Sequence, residues 1–197
     1  MKLKKMLHRL YSDSGFFLFM VRLPSKIIKF ILDRFTTQFY RHSLREVGRS
    51  FFIEWGAVIE SPKRVSVGDA VHIGKGTRIL SESNFGSLRL GNNVEIGREC
   101  RIDITGNVII KDNVLMSRGC QILSHSHGYY PRSIPEPKDL LIEDSVWLGS
   151  DVCIMDSCDF IARSSILATR ALVTKSILEE NSIAAGVPAS IIGKSNV

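Results

Sequence analysis

Two histidines two residues apart, His125 and His127, are the side chains of this sequence best suited to proton chemistry. A neutral imidazole can accept and return a proton near pH 7. If the segment is extended, the two rings leave on opposite sides of the strand and do different jobs. The residues that follow, Gly128–Leu140, include Tyr129, Tyr130, Pro131, Arg132, Pro135 and Pro137. Prolines stiffen such a loop, and the sequence predicts a lid over a site at the histidines. The four cysteines, Cys100, Cys120, Cys153 and Cys158, show neither a Cys-x-x-Cys pair nor a Cys/His zinc spacing. They read as buried thiols in a reducing compartment.

The elements that position these residues come from a six-residue period. Val67, Ile73 and Ile79 form one series; Leu90, Ile96 and Ile102 the next. Ile110, Met116 and Ile122 follow, then Ile142, Leu148 and Ile154. Glycine often comes directly after the aliphatic residue (Gly68, Gly74, Gly91, Gly97, Gly149), and a small or β-branched residue four positions after it. Neither the 3.6 period of a helix nor the 2.0 period of a long strand gives this pattern. Short strands joined by tight turns, three to a coil, do. Asn92-Asn93 and Asp112-Asn113 suit turn positions with positive φ. After Ile154 the phase slips to Ile161, Leu167 and Val173, which predicts a bulge within residues 155–160. Cys100 and Cys120 fall in the small-residue slot, a packing role.

The chain has 197 residues and a net charge of +6, unevenly spread. Residues 1–45 carry ten Lys/Arg against Asp13 and Asp33, and the remainder is slightly acidic. The repeat body therefore lacks the basic face of a nucleic-acid binder, and no nucleic-acid partner is expected. The arm interleaves Phe16, Phe17, Phe19, Phe30, Phe35 and Phe39 with basic residues. Ile27, Ile28, Ile31, Leu32 and Phe35 share a helical face, with a start at Pro24-Ser25. That face either rests on an anionic membrane surface or packs on the body or a neighbouring subunit. The apolar run 15–21 is broken by Arg22 and is too short to cross a bilayer, so a cytoplasmic protein, peripheral to the membrane at most, is expected. The organisation expected is an arm at 1–50, a repeat domain at 51–192 with an excursion loop at 128–141, and a tail at 193–197.

Four segments carry a resemblance to a known family. They are His125-Ser126-His127-Gly128-Tyr129; Ile142 to Ser150 with its Val-Trp-Leu-Gly turn; Val173-Thr174-Lys175; and Glu180 to Ala189 with its Ala-Ala-Gly-Val-Pro-Ala ending. The sequence over residues 58–194 resembles the hexapeptide-repeat acyltransferases, in the branch of galactoside, maltose and polysaccharide O-acetyltransferases. The resemblance implies an all-β fold, a left-handed parallel β-helix, here with an N-terminal helical arm and a short C-terminal extension. It implies acetyl-CoA as co-substrate, a sugar or glycan hydroxyl as acceptor, no metal cofactor, and a homotrimer with its site between subunits.

The family's general base aligns with His125, and His127 is the secondary candidate. Asp103, one position past Ile102 and one coil before Leu123, either binds the acceptor or orients the imidazole. It is grouped with His127, Tyr129 and Trp147 as acceptor-binding candidates. The backbone N–H of Ser150 aligns with the oxyanion donor. Gly149, Ser150, Ala168 and Thr169 align with turns that meet pantetheine, and Lys175 and Lys194 with residues that meet the CoA phosphates. The sequence departs from the family at Ala168-Thr169-Arg170, which stand for Gly-Ala-Gly, and at Asp156-Ser157, which stand for Pro-Gly. Zinc held by His72, His125 and His127, as in carbonic-anhydrase-like β-helices, does not fit, because that family's second and third histidines lie farther apart on adjacent coils. An O-acetyltransferase of surface polysaccharide is the favoured reading. A small-molecule acetyltransferase and a non-catalytic β-helix scaffold are the alternatives.

Overall fold

The computed structural model describes residues 3–130 and 132–195, with side chains from residue 20 onward and at His8, Tyr11, Ser12, Phe17 and Leu18 before it. The side chains of Phe16 and Phe19, Pro131 of the loop and residues 196–197 of the tail lie outside the described part. The rest is one long helix, α1 (Leu3–Ser43), followed by a solenoid of two- and three-residue strands. The strands stack into three sheets of six, eight and six strands, parallel except for the last strand of the second, each forming one face of a prism. The chain visits the faces in turn and advances one strand per coil, as the six-residue period requires. The architecture is the left-handed parallel β-helix.

Every aliphatic residue of the five series above is buried. Val67, Leu90, Ile110, Ile142 and Ile161 line the first face, and Ile73, Ile96, Met116, Leu148 and Leu167 the second. Ile79, Ile102, Ile122, Ile154 and Val173 line the third. Removing such a side chain from water is worth about 1.5–3 kcal/mol. Backbone groups pair from coil to coil, as in Gly68 N–H to Leu90 O and Gly91 N–H to Ile110 O, 2.9 and 2.8 Å.

The slip after Ile154 is real, but it is not a bulge. The strands Cys153–Ile154 and Phe160–Ile161 are regular, and the added residue sits in the edge between the third and first faces. That edge also takes the long connections from Ile59 to Val65 and from Ile122 to Leu140, so it tolerates length. At the turns, positive φ belongs to Asn93, Asn113, Asp151 and Arg170 among others. Gly91 is required for another reason: a Cβ there would meet Asp112 and Lys111 of the next coil, 2.2 and 2.8 Å away.

The solenoid starts earlier than the sequence suggested, at Glu46–Val47, and Leu140–Ile142 already belongs to the first face, which shortens the excursion. Its ends are covered differently. At the far end Ala189–Lys194 folds back antiparallel on Ser182–Gly186. At the near end α1 covers the first coil. Thr37 Oγ1 donates to Ile53 O and accepts from Ile53 N, 3.1 and 3.2 Å. Asp33 accepts from Trp55 N at 2.8 Å, and Tyr40 Oη accepts from Ile59 N at 3.0 Å. These bonds satisfy strand edges that would otherwise be open. Pro24 lies inside α1 and does not start it.

Candidate active site

The site forms where the chain leaves the third face. Arg101–Asp103 lies beside Gln121–Ile122, with Ile102 opposite Ile122. The continuation Leu123-Ser124-His125 therefore passes over the Asp103 side chain, which is only 2% exposed. Asp103 Oδ1 accepts from Thr105 N and Oγ1 at 3.1 and 2.6 Å. Oδ2 accepts from Ser124 N at 2.9 Å and from His125 Nδ1 at 2.6 Å. Burial alone would raise the pKa of this carboxyl. The Thr105 hydroxyl, the His125 ring and the Ser124 N–H outweigh it and hold the group below the usual carboxylate range. An ionised Asp103 places the imidazole proton on Nδ1 and leaves the lone pair of Nε2 free. The Asp103 oxygens are taken up by internal donors, the His125 ring among them.

His127 does not diverge from His125. The ring centroids are 4.9 Å apart at 90°. Alternation holds only within His125–Ser126, which pairs antiparallel with Glu136–Pro137. Beyond it the chain reverses at Gly128, φ +57°. Ser133 O then accepts from His127 Nδ1 at 2.9 Å, which draws the ring back toward its neighbour.

Glu82 joins them from the connection after Arg78–Leu80. Its Oε2 lies 3.7 Å from His125 Nε2 and 3.4 Å from His127 Nε2. Sequence reading missed Glu82. The available signal was the coil offset: Leu80 stands opposite Asp103, so the residues just after both share one edge.

The other candidates sit on the second face and the edge that follows it. Trp147 is half-exposed between Leu115 and Ile166, and its Nε1 donates to Ser117 Oγ at 3.1 Å. A groove of about 320 Å³ beside it is lined by Ser145, Trp147, Ser164, Ile166 and Ser195. Gly149 is held by close coil approach, since a Cβ there would lie 2.7 Å from Thr169 N. The Ser150 N–H has no acceptor among the described residues. Ala168 is half-buried, while Thr169, Arg170 and Lys175 are exposed. The Lys194 ammonium is taken up by Glu179 at 2.8 Å and Glu180 O at 3.0 Å, so it does not stand free for a phosphate. Tyr129 and Tyr130 project into solvent and do not cover the histidines as a lid.

The structure thus joins Asp103, His125, His127 and Glu82 at one edge of the prism. Gly149, Ser150, Ala168 and Thr169 occupy another edge. A whole face, six residues or roughly 20 Å, separates the two groups within a chain.

Comparison with known proteins agrees with this architecture. No protein-family model matches the chain. A protein of Mycobacterium tuberculosis named a probable acetyltransferase is 30% identical over 135 residues, covering 66% of this chain and 44% of that one. The chain thus spans less than half the length of that relative. A protein of Escherichia coli, whose name proposes an O-acetyl transferase of lipopolysaccharide biosynthesis, is 25% identical over 182 residues, covering 86% and 88%. Among solved structures, a hexapeptide-repeat acetyltransferase of Vibrio cholerae superposes with a TM-score of 0.60 at 20% identity over 98% of this chain and 94% of that one. The chain has the fold of the hexapeptide-repeat acyltransferases. AntD, an N-acyltransferase of Bacillus cereus crystallised with dTDP and coenzyme A, matches with a TM-score of 0.71 at 16% identity, over 81% and 89%. A maltose O-acetyltransferase of Clostridium difficile matches with 0.58 at 20%, over 81% and 74%.

Proposed function

We propose that this protein transfers an acetyl group from acetyl-CoA to a sugar hydroxyl. The observation that carries the reading is the 2.6 Å bond from His125 Nδ1 to a buried, ionised Asp103, which frees Nε2 as a base. The acceptor hydroxyl donates its proton to His125 Nε2 as its oxygen attacks the thioester carbonyl carbon. The unpartnered Ser150 N–H donates to the oxyanion that forms. Collapse of the tetrahedral centre breaks the C–S bond, and the imidazolium returns the proton to the departing thiolate. Thr169, Arg170 and Lys175 give the CoA side of the site its exposed polar and positive surface.

The separation of His125 from Ser150 supports a homotrimer in which one subunit supplies the base and its neighbour the oxyanion donor. An apolar groove of about 440 Å³ on the first face, with Ile109, Leu141, Phe160 and Leu178 in its lining, offers surface for such packing. A surface-polysaccharide precursor is the acceptor we favour, supported by the name of the E. coli relative and by α1. Phe17, Val21, Ile28, Ile31, Phe35 and Phe39 recur along one stripe of α1 and are all exposed. No helix among the described residues is long and apolar enough to cross a membrane. A basic helix with such a stripe suits the surface of an anionic bilayer, on the cytoplasmic side, where lipid-linked sugars lie.

The test is release of CoA from acetyl-CoA in the presence of a panel of glycans and nucleotide sugars. His125→Ala is expected to lower kcat by about 10²-fold or more with little change in KM for acetyl-CoA. Equal kcat in the variant contradicts the reading.

A further inference from the structure

The edge that holds His125 brings together three atoms able to ligate a cation. Both imidazoles are anchored through Nδ1, His125 on the Asp103 carboxylate and His127 on the Ser133 carbonyl. A backbone carbonyl can only accept, so the Nδ1 of His127 carries a proton; the ionised Asp103 fixes the same tautomer at His125. Where the rings are neutral, Nε2 carries a lone pair, and both nitrogens lie near Glu82 Oε2, 3.7 and 3.4 Å away. A positive charge among the three atoms, a proton or a metal ion, relieves their mutual repulsion.

This constellation matches the donor set of a transition-metal site. Two imidazole nitrogens and one carboxylate oxygen lie within 4.8 Å of one another. Tetrahedral zinc with bonds of about 2.0–2.1 Å needs ligand atoms about 3.3–3.4 Å apart, and the two edges to Glu82 are close to that. The anchoring groups also have the form such sites use: a carboxylate or backbone carbonyl behind each histidine fixes its tautomer and aim. His125 is nearly buried and His127 half-buried, so the ion would be partly shielded, with one position open toward solvent.

We propose that Glu82, His125 and His127 bind a divalent zinc-type cation, and that its occupancy switches the transferase off. The ion takes the Nε2 lone pair that the acceptor proton requires, so metal and acceptor deprotonation exclude each other at one atom. The inhibitory part rests on His125 being the base; the binding part does not.

The experiment titrates the metal-freed full chain with zinc by calorimetry and with Co²⁺ by absorption. One ion per chain is expected, with the visible bands of tetrahedral Co²⁺ and no near-ultraviolet thiolate band. Glu82→Gln and His127→Ala should each weaken binding by about tenfold or more. Cys153→Ser should leave it unchanged, with circular dichroism checking the fold of each variant. Absence of saturable binding, binding indifferent to both Glu82→Gln and His127→Ala, or a thiolate band overturns the site. In parallel, zinc should suppress CoA release, a chelator should restore it, and half-inhibition of Glu82→Gln should need about tenfold more zinc. CoA release unaffected by saturating zinc overturns the switch and leaves the transferase standing. Zinc binding in a protein that releases no CoA with any acceptor removes the transferase reading and leaves the metal site.

Discussion

Asp103 and His125 act as a pair, and the pair defines what each can do alone. Replacing Asp103 by Asn keeps the shape but offers an amide N–H where the imidazole Nδ1–H needs an acceptor. The ring then turns its proton to Nε2, the atom proposed to accept the hydroxyl proton. Asp103→Asn is expected to lower kcat by about 10²-fold or more while acetyl-CoA binding holds, measured by CoA release. The same carboxyl has a stability signature. Its folded pKa lies below the unfolded value of about 3.9, so its contribution is complete above that pH and is lost as pH falls through the folded value. The stability gap between wild type and Asp103→Asn should be flat from neutral pH to about 5 and close below about 4, in urea titrations at stepped pH. A variant as pH-dependent as wild type in that acid range contradicts this account of the bond. The offset of about one coil between Asp103 and His125 was legible in the sequence, because they follow Ile102 and Ile122, the last aliphatic residues of successive series. Glu82 and the convergence of His127 were not. Both depend on loop conformations set by Gly128, Ser133 and Thr105, which no period records.

At the scale of elements, α1 has two apolar sides with separate tasks. The inner side presents Asp33, Thr37 and Tyr40 to strand edges of the first coil. Tyr40→Phe leaves the buried Ile59 N–H without its acceptor and should cost about 1–3 kcal/mol, read as a lower urea midpoint. An unchanged midpoint shows that the helix does not cap the solenoid through this bond. The outer stripe, with Phe35 70% exposed, lies outside the chain's own core, which it meets where the Phe39 ring packs edge-on against Tyr40. Ile28→Glu with Phe35→Glu should abolish co-sedimentation with anionic vesicles and leave the helix content intact. Vesicle binding at the wild-type level contradicts the membrane assignment. The helical periodicity was legible over residues 27–35, but its partition was not. Ile27 and Leu32 turn partly inward and Ile28, Ile31 and Phe35 outward, a choice made by the curvature of the first coil. Pro24 misled because proline is common at helix starts; here the helix continues on both sides of it.

For the whole molecule, the regular repeat makes the prism, its core and its three faces readable in the sequence. Its edges were less readable, since edge length varies without disturbing the strands. The departures Ala168-Thr169-Arg170 show why. Arg170 takes the positive φ, +63°, that Gly56, Gly76 and Gly119 take at the corresponding turns, and the coil closes all the same. Its guanidinium stays exposed near Asp151, 3.9 Å away, on the side assigned to CoA. On the proposed mechanism one chain holds only half a site, His125 being a face away from Ser150. Co-production of two differently tagged chains, His125→Ala and Ser150→Pro, tests this most directly. Proline removes the N–H proposed to stabilise the oxyanion, so each variant alone should be inactive. In every mixed trimer, two-to-one or one-to-two, about one interface in three pairs an intact His125 with an intact Ser150 N–H. The measurement is CoA release by the purified doubly tagged protein: about a third of the wild-type rate per site is the result this account predicts. Mixed assemblies no more active than either variant alone would contradict a site shared between subunits with His125 as its base.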